Sequence, residues 1–182
     1  MIILEILDKW FKFNFKRKMK HIVYLLLGSN MGDSISFLSS ARIHISQQIG
    51  EISKSSSIFR TEPWSMDTEQ WFHNQVLEIK CKIDPDKLLN MILKIEEELG
   101  RKRSLDNHKP YESRTIDIDI LYYDNKVLNS DNLVIPHPRI QERRFVLKPM
   151  CEIAPSLIHP VLGKNQSDLL NICTDHSIIE RI

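Results

Sequence analysis

Arg114-Thr115-Ile116-Asp117-Ile118-Asp119-Ile120-Leu121-Tyr122-Tyr123 alternates apolar and polar residues as far as Ile120 and is then continuously apolar. A period of two is the signature of a β-strand with one face in a core. The spacing predicts a strand over 115–123. Ile116, Ile118 and Ile120 point into the core, and Asp117 and Asp119 share the other face. Asp124-Asn125 then turns the chain.

Working back from this strand, a polar and basic stretch spans 101–114, and a clear helix signal precedes it. Asp84 caps that helix, Pro85 takes its first position, Leu88, Leu89, Ile92, Ile95 and Leu99 form one face, and Gly100 ends it. Two strands are predicted before it, over 72–83 and 52–60, joined by the eleven residues Thr61 to Trp71. That is long for a hairpin connection and suggests a functional loop. Ile35, Leu38, Ala41, Ile45 and Ile49 recur at helical spacing, with Asp33 or Ser34 as cap and Gly50 as terminator. Ile22 to Leu27 is a short apolar strand that stops at the turn cluster Gly28-Ser29-Asn30-Met31-Gly32-Asp33. The order β-α-β-β-α-β predicts an α+β fold with a ferredoxin-like core. The Pro-rich tail from Asn129 on is expected to be an irregular and helical C-terminal extension.

The chain has 182 residues, 25 Lys+Arg against 24 Asp+Glu, 42% hydrophobic and 27% charged residues. This is ordinary globular composition and excludes a histone-like or strongly acidic binding protein. Three cysteines without a CxxC pair argue against a disulfide framework or a zinc site and fit the reducing cytoplasm. The apolar run Ile22–Leu27 is far short of the roughly 20 residues that a membrane span needs. Residues 1–18 carry five basic and two acidic side chains. They read either as a short basic amphipathic arm or, the favoured reading, as an N-terminal extension outside the core with Met19 as the natural start; 19–182 is expected to be a single domain.

Two carboxylates two residues apart on one strand face repel each other unless a cation or a hydrogen-bond network lies between them. Oxygen ligands at that spacing suit Mg²⁺, which takes one or two carboxylates plus substrate phosphates. Taken alone, the pair reads more readily as a solvated strand face. Arg101, Arg103 and Arg114 beside it change the balance, because planar guanidinium forks bind phosphate oxygens. Neutrality overall hides this local separation of charge: residues 101–114 and 139–148 each carry a net +3.

Gly28-Ser29-Asn30, Phe59-Arg60-Thr61-Glu62-Pro63-Trp64, Phe72-His73-Asn74, Glu96 to Arg101, Ser113 to Ile120 and Ile135-Pro136-His137-Pro138 occur in the order found in 6-hydroxymethyl-7,8-dihydropterin pyrophosphokinases. The chain resembles that family over about residues 20–172. The resemblance implies an ATP- and Mg²⁺-dependent diphosphotransferase of folate biosynthesis. It implies transfer of pyrophosphate from ATP to the dihydropterin, with AMP leaving.

By the same resemblance, Asp117 and Asp119 hold two Mg²⁺ ions. Arg101 and Arg114 contact ATP phosphates, with Arg103 beside them, and Glu96, Ile120, His137 and Arg143 complete the nucleotide side. Thr61, Trp64, Phe72, Asn74, Asp117 and Phe145 form the pterin side, Phe72 and Phe145 by stacking. Phe72 replaces a tyrosine frequent in the family, which keeps the stacking and loses a hydroxyl. Glu112 stands where a small residue is usual, and Tyr111 takes the place of an aromatic over the nucleotide. A cytoplasmic monomer without nucleic-acid or membrane partners is expected. An RNA-binding module on the same sheet would need an RNP1-like string, which the sequence lacks. A DxD glycosyltransferase domain would be hard to fit into this length, and the intact acidic pair argues against a binder that has lost activity.

Overall fold

The computed structural model describes residues 20–63, 70–101 and 113–182. Its centre is β1 (His21–Ser29), which pairs antiparallel with β4 (Phe72–Cys81) on one side and with β5 (Asp117–Tyr123) on the other. Strands covered on both faces read as continuous apolar runs, and this explains the unbroken Ile22–Leu27. Val23, Leu25 and Leu27 face a core shared with α1 (Ser34–Gln48) and α2 (Pro85–Glu98). Tyr24 and Leu26 face a second core under α3 (Arg144–Ile153) and α4 (Gln166–Ile172). The result is a mixed α/β protein with its main antiparallel sheet between two helical layers.

Local chemistry fixes where these elements begin and end. Asp33 caps α1 by accepting the Ser36 N–H at 3.1 Å. Pro85 opens α2 at a position where its missing N–H costs nothing. Gly100, at φ 84°, closes α2 in the left-handed conformation that favours glycine. The Arg101 N–H then returns to the Glu96 carbonyl at 2.9 Å. That turn aims Arg101 back across the end of the helix.

The strand expected over 52–60 is two strands, β2 (Gly50–Ser55) and β3 (Phe59–Thr61), both paired with β4. Ser56 makes the break. Its N–H donates to the Val76 carbonyl and its hydroxyl accepts the Val76 N–H, so a side chain replaces a backbone rung. The Pro-rich tail is more ordered than expected. It holds β6 (Leu128–Asn129) and β7 (Val134–Ile135), the ten-residue α3 with Pro149 inside it, and α4. It ends in β8 (Ile179–Arg181), which adds to the edge of β3. The main sheet therefore runs β5-β1-β4-β3-β8, with β2 also on β4. Among the described residues no helix is long and apolar enough to cross a membrane.

Candidate active site

The ends of β1, β4 and β5 meet over a cavity of about 310 Å³, walled by α2, α3 and the segment before α3. That volume suits a small-molecule site. Register decides what faces it. Gly28 of β1 lies opposite Asn74 of β4 and Asp117 of β5, and Leu26 lies opposite Val76 and Asp119. Paired residues point to one face of a sheet. The cavity floor is thus the row Asp117–Gly28–Asn74 with Asp119 and Leu26 beside it, while Val76 lies buried in the second core. Ile118 and Ile120 turn into the core on the other face.

Asp117 is held by two arginines. Arg101 donates to its Oδ1 and Arg114 to its Oδ2. Arg101 also donates to Glu96, whose Oε1 accepts the Ile118 N–H at 2.7 Å. Glu96 is only 1% exposed, so this carboxylate ties α2 to the backbone between the two aspartates. Burial pulls the Arg101 pKa down, but the charges of Asp117 and Glu96 outweigh it and raise the pKa above the ordinary value. The Arg114 backbone is fixed by Asn30, whose Oδ1 accepts the Arg114 N–H at 2.8 Å and whose N–H donates to the Arg114 carbonyl at 3.2 Å.

Asp119 has different surroundings. It makes no hydrogen bond or ion pair with a described residue. Burial, and next the Asp117 charge, push its carboxyl up to about 7, against the pull of Arg143 and Arg114. His137 follows the cis Ile135–Pro136 bond and is held to β5 by its N–H to the Leu121 carbonyl at 3.0 Å. Its ring Nδ1 accepts the Arg139 N–H at 3.2 Å. Burial, and then Arg143, lower its pKa to about 4, so the free protein carries it neutral.

At the other end of the floor, the Asn74 Nδ2 donates to the Thr61 Oγ1 at 2.8 Å, both side chains being buried. Phe72 and Phe145 close on this end from β4 and α3. The Arg143 guanidinium lies 5.6 Å from the Phe145 ring centre.

The cavity collects Asp117, Asp119, Arg101, Arg114, Glu96, His137, Arg143, Thr61, Phe72, Asn74 and Phe145. It does not collect Ile120, which is 5% exposed in the core beneath the sheet. The same alternation that puts Asp117 and Asp119 on the cavity face puts Ile120 on the opposite one. Trp64, Arg103, Tyr111 and Glu112 lie outside the described residues. The structure adds Gly28, Glu62, Leu89 and Leu93 to the lining. Leu89 packs in part against the core, as its helical spacing predicts, and also reaches the cavity. Its i, i+4 pairing with Leu93 is the sequence signal for a second apolar strip.

Among the described residues no three His, Cys, Asp or Glu side chains gather into a metal cage. Two carboxylates alone fit Mg²⁺, which takes its remaining ligands from water and phosphate. They do not fit zinc. Asp119 is available for this role, whereas Asp117 must first release an arginine.

Residues 24–155 match the family described as 7,8-dihydro-6-hydroxymethylpterin-pyrophosphokinase (HPPK). The chain is 39% identical over 142 residues to the 2-amino-4-hydroxy-6-hydroxymethyldihydropteridine pyrophosphokinase of Aquifex aeolicus, an alignment spanning 78% of this chain and 86% of that one. It is 37% identical over 156 residues to the folic acid synthesis protein fol1 of Pneumocystis carinii, covering 86% of this chain and 20% of that one. Among solved structures, wild-type Plasmodium falciparum HPPK-DHPS is similar with a TM-score of 0.68 at 18% identity, over 84% of this chain and 44% of that one. This chain thus spans nearly all of one relative's length, a fifth of another's and under half of the third's. The structural likeness bears on the fold.

Proposed function

The chain belongs to the 7,8-dihydro-6-hydroxymethylpterin-pyrophosphokinase family, and from that premise we propose that it transfers pyrophosphate from ATP to 6-hydroxymethyl-7,8-dihydropterin in folate biosynthesis. The observation that carries the reading is the pairing of Asp117 and Asp119 on one strand face of the cavity, with Arg101 and Arg114 against Asp117. Such an arrangement neutralises a triphosphate and orients it. Phosphoryl-type transfer draws most of its rate from those two effects.

In this reading the pterin hydroxymethyl oxygen forms a bond to the β-phosphorus of ATP. The bond from that phosphorus to the α,β-bridging oxygen breaks, AMP leaves with the bridging oxygen, and the hydroxyl proton passes to solvent. Asp117 and Asp119 would hold the Mg²⁺, two ions by family resemblance, which when bound neutralises phosphate charge and acidifies the attacking hydroxyl. Arg101 and Arg114 move from Asp117 to phosphate oxygens, with Arg103 as a third cation. His137, Arg143 and Glu96 serve the nucleotide side. Asn74, fixed by Thr61, reads the pterin edge with one amide end, while Phe72 and Phe145 hold the ring, joined by Trp64. Ile120 supports the nucleotide only through the backbone of β5.

The strand order also supports a ferredoxin-like split βαβ core in which β2 and β3 together fill one strand's place. We read residues 19–182 as one domain acting as a cytoplasmic monomer, with residues 1–18 outside the core. Incubation with ATP, Mg²⁺ and the dihydropterin tests the proposal: pterin-dependent AMP supports it, and ADP or unchanged ATP overturns it.

A further inference from the structure

α3 begins at the edge of the cavity, where its own sequence offers no cap. Its N-cap residue is Arg143, and its first turn carries no acid. An arginine side chain holds only donors, so it cannot accept the free N–H groups of a helix start. Its charge also opposes the positive end of the helix dipole. Yet Arg143 at the cap and Phe145 in the first turn both line the cavity.

The missing acceptor comes from the C-terminal tail. Asp175, beyond α4, accepts the Arg144 N–H with its Oδ2 at 2.9 Å. Its Oδ1 accepts the Ser177 N–H at 2.9 Å and also the Ser177 hydroxyl. The carboxylate is thus held by its own turn as it meets the helix. Next to that turn the tail grips the opposite wall. The Ile178 carbonyl accepts the Glu62 N–H at 3.2 Å, and the Ile178 N–H donates to the Glu62 Oε2 at 2.8 Å. β8 then runs beside β3, with Ile179 opposite Thr61. Thr61 and Glu62 line the cavity as well. Little apolar burial holds this tail down, since Ile178 and Ile182 are 53% and 58% exposed. Its attachment is polar, and the stretch Asp175 to Ile178 joins the Phe145 wall to the Thr61 wall.

We infer that Asp175 is a positioning residue for the transfer reaction: with Ile178 it makes the tail a clasp that sets the spacing between Phe145 and the Thr61–Asn74 pair. This rests on the function proposed above and adds to it a segment that acts without touching substrate. Loss of the cap frees the first turn of α3, and the pterin then binds only the fraction of molecules in which that turn is formed. Arg101 and Arg114 are held instead by Glu96, Asp117 and Asn30. The clasp therefore bears on the pterin more than on the nucleotide.

Asp175→Ala tests the inference by titration with 6-hydroxymethylpterin in the presence of a non-hydrolysable ATP analogue, and with the analogue alone. Both titrations are run at a temperature where the variant is fully folded. A cap that served stability alone would lower the melting temperature and leave both Kd values unchanged. The expected result is a pterin Kd raised about 3–30-fold, the span of one lost helix cap when binding must restore the helix start. The analogue Kd should stay within about twofold of wild type. Asp175→Asn keeps an acceptor and should recover most of the pterin affinity. A folded Asp175→Ala that binds pterin within about twofold of wild type overturns the inference. An equal loss of both ligands, or an Asn variant as weak as the Ala variant, overturns it too. Should Asp175→Ala fail to fold, amide hydrogen exchange of the wild-type protein decides. Slower exchange at both Arg144 and Ile178 on pterin binding supports the clasp, and unchanged exchange at either overturns it. Wild-type protein that makes AMP while Asp175→Ala binds pterin normally sinks this inference alone. Wild-type protein that binds no pterin sinks both.

Discussion

Asp117 and Asp119 stand two residues apart on the same face of β5, and only Asp117 is engaged: Arg101 and Arg114 each hold one of its oxygens. Asp119 faces the cavity without a hydrogen-bonded or ionic partner among the described residues. An arrangement made only for stability would pair both. Leaving one acid unpaired beside a like charge costs folding energy, and functional sites are where such costs persist.

The first prediction separates activity from stability at that residue. Asp119→Asn should lower turnover by about 10²–10³-fold or more, the scale of losing one charge-stabilising group. Thermal unfolding of the free protein should stay level or shift upward, because repulsion with Asp117 and the burial of a carboxylate are both relieved. Near-normal turnover would refute the assignment of Asp119 to the metal.

Glu96 should show the reverse pattern. It is buried, and it receives both Arg101 and the Ile118 N–H. Glu96→Ala leaves the partly buried Arg101 guanidinium and the buried Ile118 amide without this acceptor, which should cost up to about 3–5 kcal/mol in denaturant unfolding. Glu96→Gln keeps an acceptor for Ile118 and should lose less, about 1–3 kcal/mol. Equal stability of all three proteins would show that the carboxylate does not hold β5 in place.

The two arginines on Asp117 also predict coupling between substrates. On the proposed function, triphosphate must draw Arg101 and Arg114 away before Asp117 can meet the pterin hydroxyl. A non-hydrolysable ATP analogue should therefore tighten pterin binding by about 5–150-fold, the usual range of coupling between sites. Calorimetric titration with and without the analogue measures this. Equal pterin affinities would contradict the competition at Asp117.

A pH effect is expected away from the cavity. His159 is buried, its ring stands edge-on to Tyr122 at 5.6 Å, and its Nδ1 accepts the N–H groups of Val161 and Leu162 at 3.3 Å each. Burial lowers its pKa from the ordinary 6.5. The folded state therefore resists a proton that the unfolded chain accepts. The stabilisation is complete above pH 6.5 and is lost as pH falls from there through the lower folded value. His159→Asn keeps an acceptor without the titration and should flatten part of that slope in urea unfolding between pH 7 and 5. An unchanged slope would exclude His159 as a contributor.

Much of this architecture is legible in the sequence because it rests on strong periodicities. The alternation from Arg114 to Tyr123 places both aspartates, and the spacing from Leu88 to Leu99 places α2. The break at Ser56 was not legible, because it depends on a serine hydroxyl meeting Val76 across the sheet. Neither was β8: three residues, Ile179–Arg181, carry no pattern until β3 offers an edge. Glu96 stood among three consecutive glutamates, and only the fold shows which one is buried. Ile120 is the instructive case, since the periodicity that brought the acidic pair to the cavity faces it away.

On the proposed function a pyrophosphoryl unit, rather than a single phosphoryl group, leaves ATP at Asp117 and Asp119. The most direct measurement follows ATP labelled at the γ-phosphorus in the presence of Mg²⁺ and 6-hydroxymethyl-7,8-dihydropterin. The expected result is that the label moves to the pterin as a pyrophosphate, with one AMP formed for each labelled product and AMP formation by Asp119→Asn slowed by about 10²–10³-fold or more. Label appearing as free phosphate with ADP, or remaining in ATP, would contradict it.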